Sequence, residues 1–337
     1  MILAGDIGGT NTRLAQFDAD GQPQNIKEYP SRDYDSLEEI VTEYVALNRT
    51  LYTRACFGVA GPVKEEGGRL CVRTTNLKWV VDQHRLAEAI GVPPGSVGII
   101  NDLAANATGI AALPPDRILE LAPGERHDEE NRAIISAGTG LGVAGLLWDE
   151  KGGFHRPVPS EGGHSSFGPR NELEDDLLRF LRGRDRQAFN GHVSWERVLS
   201  GPGLYNLFAF LRHRGEKEQT LVLSPDLSPG DAAREVVKAG LTGTCPRSEA
   251  ALDLFVALYG AAAGNVALQF LSLGGLYVGG GIAPRIKDKL RGAAFMDAFL
   301  DKGPLRGRAL EKIPVRVILD PHTALRGAGR YAEKLMV

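Results

Sequence analysis

The sequence predicts an α/β protein built from two domains, and three observations indicate this. The chain has 337 residues, which is more than one hydrophobic core usually organises. Its first ~110 residues alternate apolar strand patterns with helical patterns, as in an α/β layer. Residues 2–17 and 134–148 each read as an apolar strand, a glycine turn and a second apolar strand.

The two glycine-broken hairpins are similar to each other. Sliding one onto the other superimposes Gly5 on Gly138 and Gly9 on Gly142. Glycine in a turn admits positive φ and leaves no Cβ in the way, so backbone N–H groups can face a polyanion closely. The pair therefore predicts two half-domains that bind one phosphorylated ligand.

The elements of the first domain follow from periodicity and capping signals. Ser36 and Glu39 form a capping box that opens a helix, and Gly91 closes a later one. The other expected elements are a strand at 55–60, a helix at 82–90, a strand at 97–100 and an alanine-rich helix at 103–113. Because Pro114-Pro115 ends this series, we place a small domain at 1–114 together with the C-terminal helix 323–337.

The large domain is expected at 115–322, beginning with the second hairpin. The pattern then predicts a loop at 158–169, helices at 172–182, 204–212 and 248–273, a strand at 276–279 that runs into glycines, a strand at 315–319 and a last helix at 323–336. No stretch reads as long and apolar enough to span a bilayer, because Asp253, Asn265 and Gln269 interrupt the nearest one.

The composition indicates which kinds of molecule the chain is expected to bind. A net charge of −3 gives no electrostatic reason to expect nucleic acid or an anionic membrane. Cys56, Cys71 and Cys245 lack the spacing of a metal site, and the chain begins directly on a strand. We expect a cytoplasmic protein whose partners are small molecules.

One motif suggests a nicotinamide oxidoreductase. Residues 140–145 match GxGxxG after a strand, but a dinucleotide fingerprint also needs a helix at that turn. Residues 143–148 read as a strand instead, which argues against this function. The GxxxxGK[ST] motif and the protein-kinase motifs are absent from the sequence.

Several polar residues can be interpreted in two ways. Asp6, before Gly8-Gly9-Thr10, is either a turn-forming residue or a carboxylate that organises Mg²⁺ beside phosphates. Asp102 is either the cap of the helix that follows or a general base. Glu161 and His164 lie in a glycine-rich loop that favours a functional role, whereas Glu196 alone would read as a helix start.

Taken in order, these motifs resemble the bacterial glucokinase family of the hexokinase/actin/heat-shock-chaperone ATPase superfamily. The segments that carry the resemblance are 5–11, 100–102, 137–142, 161–164, 191–194, 196–203 and 279–282. The resemblance implies two ribonuclease-H-like domains of the actin-like ATPase fold with a cleft between them. It also implies ATP-dependent phosphorylation of glucose at the 6-hydroxyl, a need for Mg²⁺, and a homodimer.

The resemblance also implies a role for each motif. Asp102 corresponds to the general base, and the sugar contacts are Asn101, Asp102, Glu161, His164 and Glu196. The implied nucleotide contacts are Gly5, Asp6, Ile7, Gly8, Gly9, Thr10, Gly138, Thr139, Gly140, Gly279, Gly280 and Gly281, with Asp6 holding Mg²⁺ through water. A sugar offers hydroxyls that both donate and accept, which suits a ring of carboxylates.

Two features differ from related families. Ser166 stands where the glucokinase family has Asp, and the cysteine cluster of the zinc-containing repressor-and-sugar-kinase lineage is missing. We therefore expect no structural zinc. A kinase for another hexose or an amino sugar, and a non-catalytic sugar sensor on the same scaffold, remain as alternative functions.

Overall fold

A computed structural model gives the fold of the chain as two compact units. It describes residues 1–74, 77–184, 191–215, 223–224 and 226–335. Unit 1 comprises Met1–Arg117, His155–Pro159 and Asp320–Val337, and unit 2 comprises Ile118–Phe154 and Ser160–Leu319.

Unit 1 contains a five-stranded sheet and a small three-stranded sheet. Its strands are β1 (Ile2–Ile7), β2 (Asn11–Phe17), β3 (Pro23–Pro30), β4 (Arg54–Val59), β5 (Val63–Glu66), β6 (Arg69–Arg73), β7 (Val80–Asp82) and β8 (Val97–Asn101). The larger sheet has the order β3-β2-β1-β4-β8 and the smaller one β5-β6-β7. β1 pairs antiparallel with β2 and parallel with β4, and β4 pairs parallel with β8.

Helices cover both faces of the larger sheet. They are α1 (Leu37–Asn48), α2 (Gln83–Ile90), α3 (Asp102–Gly109) and α11 (Thr323–Glu333). One apolar cluster lies under α1 and α2, and a second lies between the sheet and α3 and α11. α3 and α11 approach closely at Gly109, where a Cβ would lie 1.9 Å from the carbonyl oxygen of Thr323. The expected helix 103–113 therefore ends at this glycine, and residues 110–112 continue as a 3₁₀ turn.

Unit 2 is built on a six-stranded sheet with the order β12-β11-β10-β13-β14-β9. The strands of this sheet are β9 (Ile118–Ala122), β10 (Arg132–Ala137), β11 (Leu141–Asp149), β12 (Phe154–Ser160), β13 (Gly275–Gly279) and β14 (Val315–Ile318). Of these, β12 is the edge strand that contains the unit 1 residues His155–Pro159. The helices of unit 2 are α4 (Glu172–Arg184), α5 (Gly201–His213), α6 (Pro229–Leu241), α7 (Pro246–Phe270), α8 (Lys287–Leu290), α9 (Ala293–Leu300) and α10 (Leu305–Arg308).

The long helix α7 forms part of the core of unit 2. Fifteen of its residues, including Phe255 and Tyr259, are buried. Contrary to the sequence interpretation, this helix is long and apolar enough to cross a membrane by length and composition, and it is the one such helix among the described residues. Its most apolar window is 72% buried, and a core helix has the same length and composition.

The two units repeat one strand order. The series β3-β2-β1-β4-β8 of unit 1 corresponds to β12-β11-β10-β13-β14 of unit 2. In each unit a hairpin is followed by strands that pair parallel to its first strand. Residues 143–148 belong to β11, so a strand follows the GxGxxG turn, as the pattern predicts.

The superposition of the two hairpins expected from their glycines is wrong in register. The last pair before the turn is Ile7 with Thr12 in the first hairpin and Ala137 with Leu141 in the second. Matching these pairs superimposes Gly8, rather than Gly5, on Gly138. The sequence match follows glycine spacing, whereas the hydrogen-bond ladder sets the structural match.

Candidate active site

The polar residues of unit 1 lie where three parallel strands end. Ile7 of β1 pairs with Val59 of β4, and Val59 pairs with Asn101 of β8. Asp6 and Asp102 therefore lie at the same carboxyl edge of the sheet, and the charge of Asp102 reaches Asp6. In open α/β sheets this edge is where ligands bind.

Asn101, rather than Asp102, caps helix α3. The side-chain oxygen of Asn101 accepts hydrogen bonds from the N–H groups of Leu103 (2.9 Å) and Ala104 (3.4 Å), and its amide donates to the carbonyl of Gly61. Asp102 is the first residue of the helix, and its carboxylate also accepts a hydrogen bond from the Leu103 N–H, at 3.0 Å. The N-cap is therefore Asn101, and Asp102 shares one of the N–H groups that Asn101 caps.

The surroundings of Asp6 shift the pKa of its carboxyl. Burial raises the pKa of its carboxyl to about 6, Arg13 opposes this rise, and the Asp102 carboxylate adds to it. Arg13 Nη1 lies 3.6 Å from Asp6, while Arg13 Nε donates to Glu28 at 2.6 Å. Two partly buried carboxylates that repel each other are a donor set that fits a divalent cation such as Mg²⁺.

The turn of the first hairpin is held by Ser31. The Ser31 hydroxyl donates to the Gly8 carbonyl at 2.8 Å, and the Ser31 N–H donates to the Thr10 carbonyl at 2.9 Å. Gly5 lies inside β1 instead, where a Cβ would lie 2.5 Å from the ring of Phe57. Gly5 therefore serves the packing of the sheet, and Ile7 ends the strand below the turn.

The turn of the second hairpin is closed by a short hydrogen bond. The Gly138 N–H donates to the Gly140 carbonyl at 2.8 Å, and the N–H of Gly201 donates to the Gly138 carbonyl, also at 2.8 Å. Neither glycine of this turn has positive φ, nor do Gly8 and Gly9. The expected use of positive φ is therefore wrong for these turns. A Cβ would lie 3.0 Å from the Asn11 carbonyl oxygen at Gly8 and 2.5 Å from Glu196 at Gly140, whereas it would have open space at Gly138.

Positive φ is required at Gly280 instead. Gly279 ends β13, and Gly280 has φ +84° with its Cβ position only 2.2 Å from the carbonyl oxygen of Ala137. The hydroxyl of the buried Tyr259 joins the same two strands, because it accepts the Ala137 N–H at 3.1 Å and lies 3.0 Å from the Gly279 carbonyl.

A cavity of about 400 Å³ opens beside these loops, entirely within unit 2. Its walls come from the turn 138–139, the start of α5, the loop after β13 and one face of α6. The lining residues are Gly138, Thr139, Gly201, Pro202, Leu204, Pro229, Gly230, Ala233, Arg234, Val237, Gly281, Ile282 and Arg285. The apolar side chains among them suit a flat aromatic group, and the turn adjoins one end.

Sequence reasoning missed the α6 wall of this cavity. Ser228 caps α6 by accepting the N–H of Asp231, so Ser228-Pro229-Gly230-Asp231 was a readable helix start. Pro229, Ala233 and Val237 then follow at the helical period on one face.

The other candidate sugar residues gather around Leu141 of the second hairpin. Gly163, between Glu161 and His164, packs so closely that a Cβ would lie 1.9 Å from the Leu141 carbonyl oxygen. On the other side, the Glu196 carboxylate accepts the Leu141 N–H at 3.0 Å. Unit 2 therefore brings these three residues together beside the turn.

Glu161 and His164 are strongly exposed. Their side chains are 89% and 62% exposed, and His164 Nε2 lies 4.0 Å from the Glu161 carboxylate. The ring of His192 is within hydrogen-bond distance (3.0 Å) of the His164 carbonyl. Ser166, where the resemblance leads one to expect Asp, forms an isolated β-bridge with Ser194.

Comparisons with known proteins agree on one family. The family model described as Glucokinase matches residues 3–335. A glucokinase of Trichormus variabilis is 39% identical over 356 residues, with 99% of each chain covered. The crystal structure of a glucokinase from an Antarctic psychrotroph is 31% identical, with a TM-score of 0.80 and 98% of each chain covered.

A more distant structure shares the fold. The glucokinase of the ROK family from Streptomyces griseus, solved in complex with glucose and AMPPNP, has a TM-score of 0.63 at 19% identity, with 99% of each chain covered. The expected α/β class and actin-like ATPase fold are confirmed. With a family match over nearly its whole length, this chain belongs to the glucokinase family.

Proposed function

We propose that this member of the glucokinase family transfers the γ-phosphoryl group of ATP to the 6-hydroxyl of D-glucose, with Asp102 as general base. The observation that supports the base assignment is the position of Asp102 at the carboxyl edge of the sheet, where its charge acts on Asp6, while the side chain of Asn101 caps α3. A carboxylate is also stabilised as the anion at a helix N-terminus.

We assign five polar side chains to the hydroxyls of glucose. They are those of Asn101, Asp102, Glu161, His164 and Glu196. The carboxylates accept hydrogen bonds from the hydroxyls, and the amide and imidazole can donate. A site made of such bonds rejects an analogue that lacks a hydroxyl.

The nucleotide would bind through the two turns and the cavity of unit 2. We assign the triphosphate to residues 8–10 and 138–140 and the adenosine to the cavity beside Gly279, Gly280 and Gly281. The AMPPNP bound by the Streptomyces griseus protein, which shares this fold, supports a nucleotide as donor. Mg²⁺, for which Asp6 is the assigned carboxylate, would neutralise phosphate charge when bound.

In the proposed reaction the phosphoryl group is transferred and the 6-hydroxyl loses its proton. The 6-hydroxyl oxygen forms a bond to the γ-phosphorus while the bond from that phosphorus to the β,γ-bridging oxygen breaks and ADP leaves. The carboxylate of Asp102 accepts the proton of this hydroxyl and becomes a carboxylic acid. In a loose phosphoryl transfer this proton leaves late, so a well-placed carboxylate of ordinary basicity is sufficient.

Replacement of the base tests this proposal. Asp102→Asn keeps the size of the side chain but removes the acceptor charge, so we expect kcat to fall about 10²–10⁴-fold. Glucose binding, measured by calorimetry, should survive in part because the other contacts remain. Wild-type turnover in a folded Asp102→Asn protein would refute the base assignment.

A coupled assay tests the substrate. Glucose, mannose, fructose and glucosamine are offered as acceptors, with ATP, ADP and polyphosphate as donors. The proposal expects glucose with ATP to give the highest kcat/KM. Sugar binding without phosphorylation of any acceptor would identify a sensor instead.

Three further properties are part of the proposal. We infer a cytoplasmic homodimer that contains no structural zinc. The zinc statement is supported by the separation of Cys56, Cys71 and Cys245 in the sequence. Light scattering after size-exclusion chromatography measures the assembly, and elemental analysis measures zinc; one zinc per chain would contradict the inference.

A further inference from the structure

The segment from Glu196 to Gly201 is hydrogen-bonded to both sides of the phosphate turn of unit 2. The Glu196 carboxylate accepts the Leu141 N–H at 3.0 Å, just after the turn. The Gly201 N–H donates to the Gly138 carbonyl at 2.8 Å, at its start. These bonds restrain Gly138–Gly140 from one neighbouring segment.

The first N–H groups of α5 form hydrogen bonds within the protein, one of them to the turn. Of its first N–H groups, that of Gly201 donates to the Gly138 carbonyl, and Pro202 has none. The N–H groups of residues 203 and 204 both donate to Ser200, to its hydroxyl at 2.9 Å and its carbonyl at 2.8 Å. The groups that usually bind anions at a helix N-terminus are therefore engaged within the protein.

Glycine at position 140 makes room for the Glu196 carboxylate. A Cβ on Gly140 would lie 2.5 Å from Glu196 Oε2, the oxygen that accepts the Leu141 N–H. In the described part of the chain, the Leu141 N–H is the one donor seen at this carboxylate. Its second oxygen can therefore accept a sugar hydroxyl while the first holds the turn.

We propose that Glu196 is a positioning residue for the ATP-binding turn, in addition to its assigned contact with the sugar. This inference rests on the proposed function, because it takes the turn Gly138–Gly140 to bind the triphosphate. It predicts that loss of the Glu196 carboxylate weakens nucleotide binding even when no sugar is present. A residue that only contacts the sugar would leave that binding unchanged.

The test is calorimetric titration of MgAMPPNP into the sugar-free full chain. Glu196→Ala removes the acceptor of the Leu141 N–H, and we expect the dissociation constant to rise about tenfold, the size of one hydrogen bond to a charged group. Glu196→Gln keeps an oxygen acceptor, so its affinity should stay within about threefold of wild type. Circular dichroism and thermal unfolding verify that each variant is folded.

Glu161→Ala is the matched control, because Glu161 is an exposed carboxylate assigned to the sugar whose described ion pair is with His164. It should leave the MgAMPPNP affinity at the wild-type value. Wild-type affinity in folded Glu196→Ala, or equal weakening in Glu161→Ala, would overturn the inference. Failure of the proposed function is seen separately, since a wild-type chain that binds MgAMPPNP but phosphorylates no sugar contradicts only that function.

Discussion

Replacement of Tyr259 by phenylalanine isolates the contribution of one hydroxyl to the proposed nucleotide site. This hydroxyl is buried in α7 and accepts the Ala137 N–H at 3.1 Å. It can donate its own hydrogen to the carbonyl of Gly279 (3.0 Å) or Ile135 (3.2 Å). It thus joins the ends of β10 and β13, the strands that lead into the turn 138–140 and the glycines 279–281.

The magnitude follows from the groups left without partners. Tyr259→Phe keeps the ring and its edge-on contacts with Phe255 and Phe295. It leaves the Ala137 N–H buried and unpaired, which costs about 1–3 kcal/mol of unfolding free energy. Because both loops that we assign to the nucleotide lose a shared restraint, we also expect the KM for ATP to rise several-fold while the KM for glucose changes little.

Urea unfolding and steady-state kinetics measure the two effects. Tyr29→Phe is the control, since Tyr29 is also buried, and its hydroxyl lies near Lys27 but within 3.5 Å of no partner among the described residues. We expect the control to retain wild-type stability within about 0.5 kcal/mol. If Tyr259→Phe were as stable as wild type and had an unchanged KM for ATP, the restraint assigned to this hydroxyl would be refuted.

Three further predictions concern single residues. The pKa of the Asp6 carboxyl is raised from 3.8 to about 6 in the folded chain, so the folded state binds this proton more tightly than the unfolded state. The bound proton contributes its full stabilisation below about pH 4, and that stabilisation is lost as the pH rises through 6. At pH 7.5 the unfolding free energy of Asp6→Asn should therefore exceed that of wild type by about 1–3 kcal/mol, and at pH 5 the difference should be smaller. The variant should lose activity, and a lower stability than wild type at pH 7.5 would contradict this prediction. Gly280→Ala should unfold at lower urea concentration and lose MgAMPPNP binding, because its methyl group meets the Ala137 carbonyl at 2.2 Å, whereas Gly281→Ala, with open space at its Cβ, should unfold like wild type. Gly140→Ala should weaken MgAMPPNP binding by displacing the Glu196 carboxylate, and titration giving wild-type affinity would count against that contact.

Local signals in the sequence were sufficient for much of the fold. Ser36 accepts the Glu39 N–H at the start of α1, and Gly91 closes α2 in the left-handed conformation, as their positions predict. Both hairpins form where the glycine turns interrupt apolar runs. These features depend on residues close together in the chain, which a sequence displays directly.

Long-range pairing could not be read in the same way. The expected loop 158–169 begins inside β12, whose Pro157 and Pro159 argue against a strand. β12 is an edge strand of its sheet, and there a missing N–H is tolerated. Only the strand order, which is a tertiary property, shows that these prolines are acceptable.

The candidate site shows the same limit. Which of Asn101 and Asp102 is the N-cap of α3 depends on where the Asn101 side chain points, and the sequence does not show this. Likewise, nothing in the spacing of Glu196 and Leu141 indicates that they meet. The sequence shows which side chains carry a carboxylate or an amide, but only the folded structure shows the hydrogen-bond partner of each one.

The buried cysteines make the chain convenient for site-directed labelling. Cys56, Cys71 and Cys245 are all buried, and burial raises the pKa of the Cys56 and Cys71 thiols, which favours their less reactive protonated form. Dyes could therefore be attached to Leu51→Cys in unit 1 and Asp288→Cys in unit 2, at side chains that are 90% and 78% exposed, without first removing a native thiol. The fluorescence of each dye would then report on its own unit during turnover, without a background of labelled native thiols.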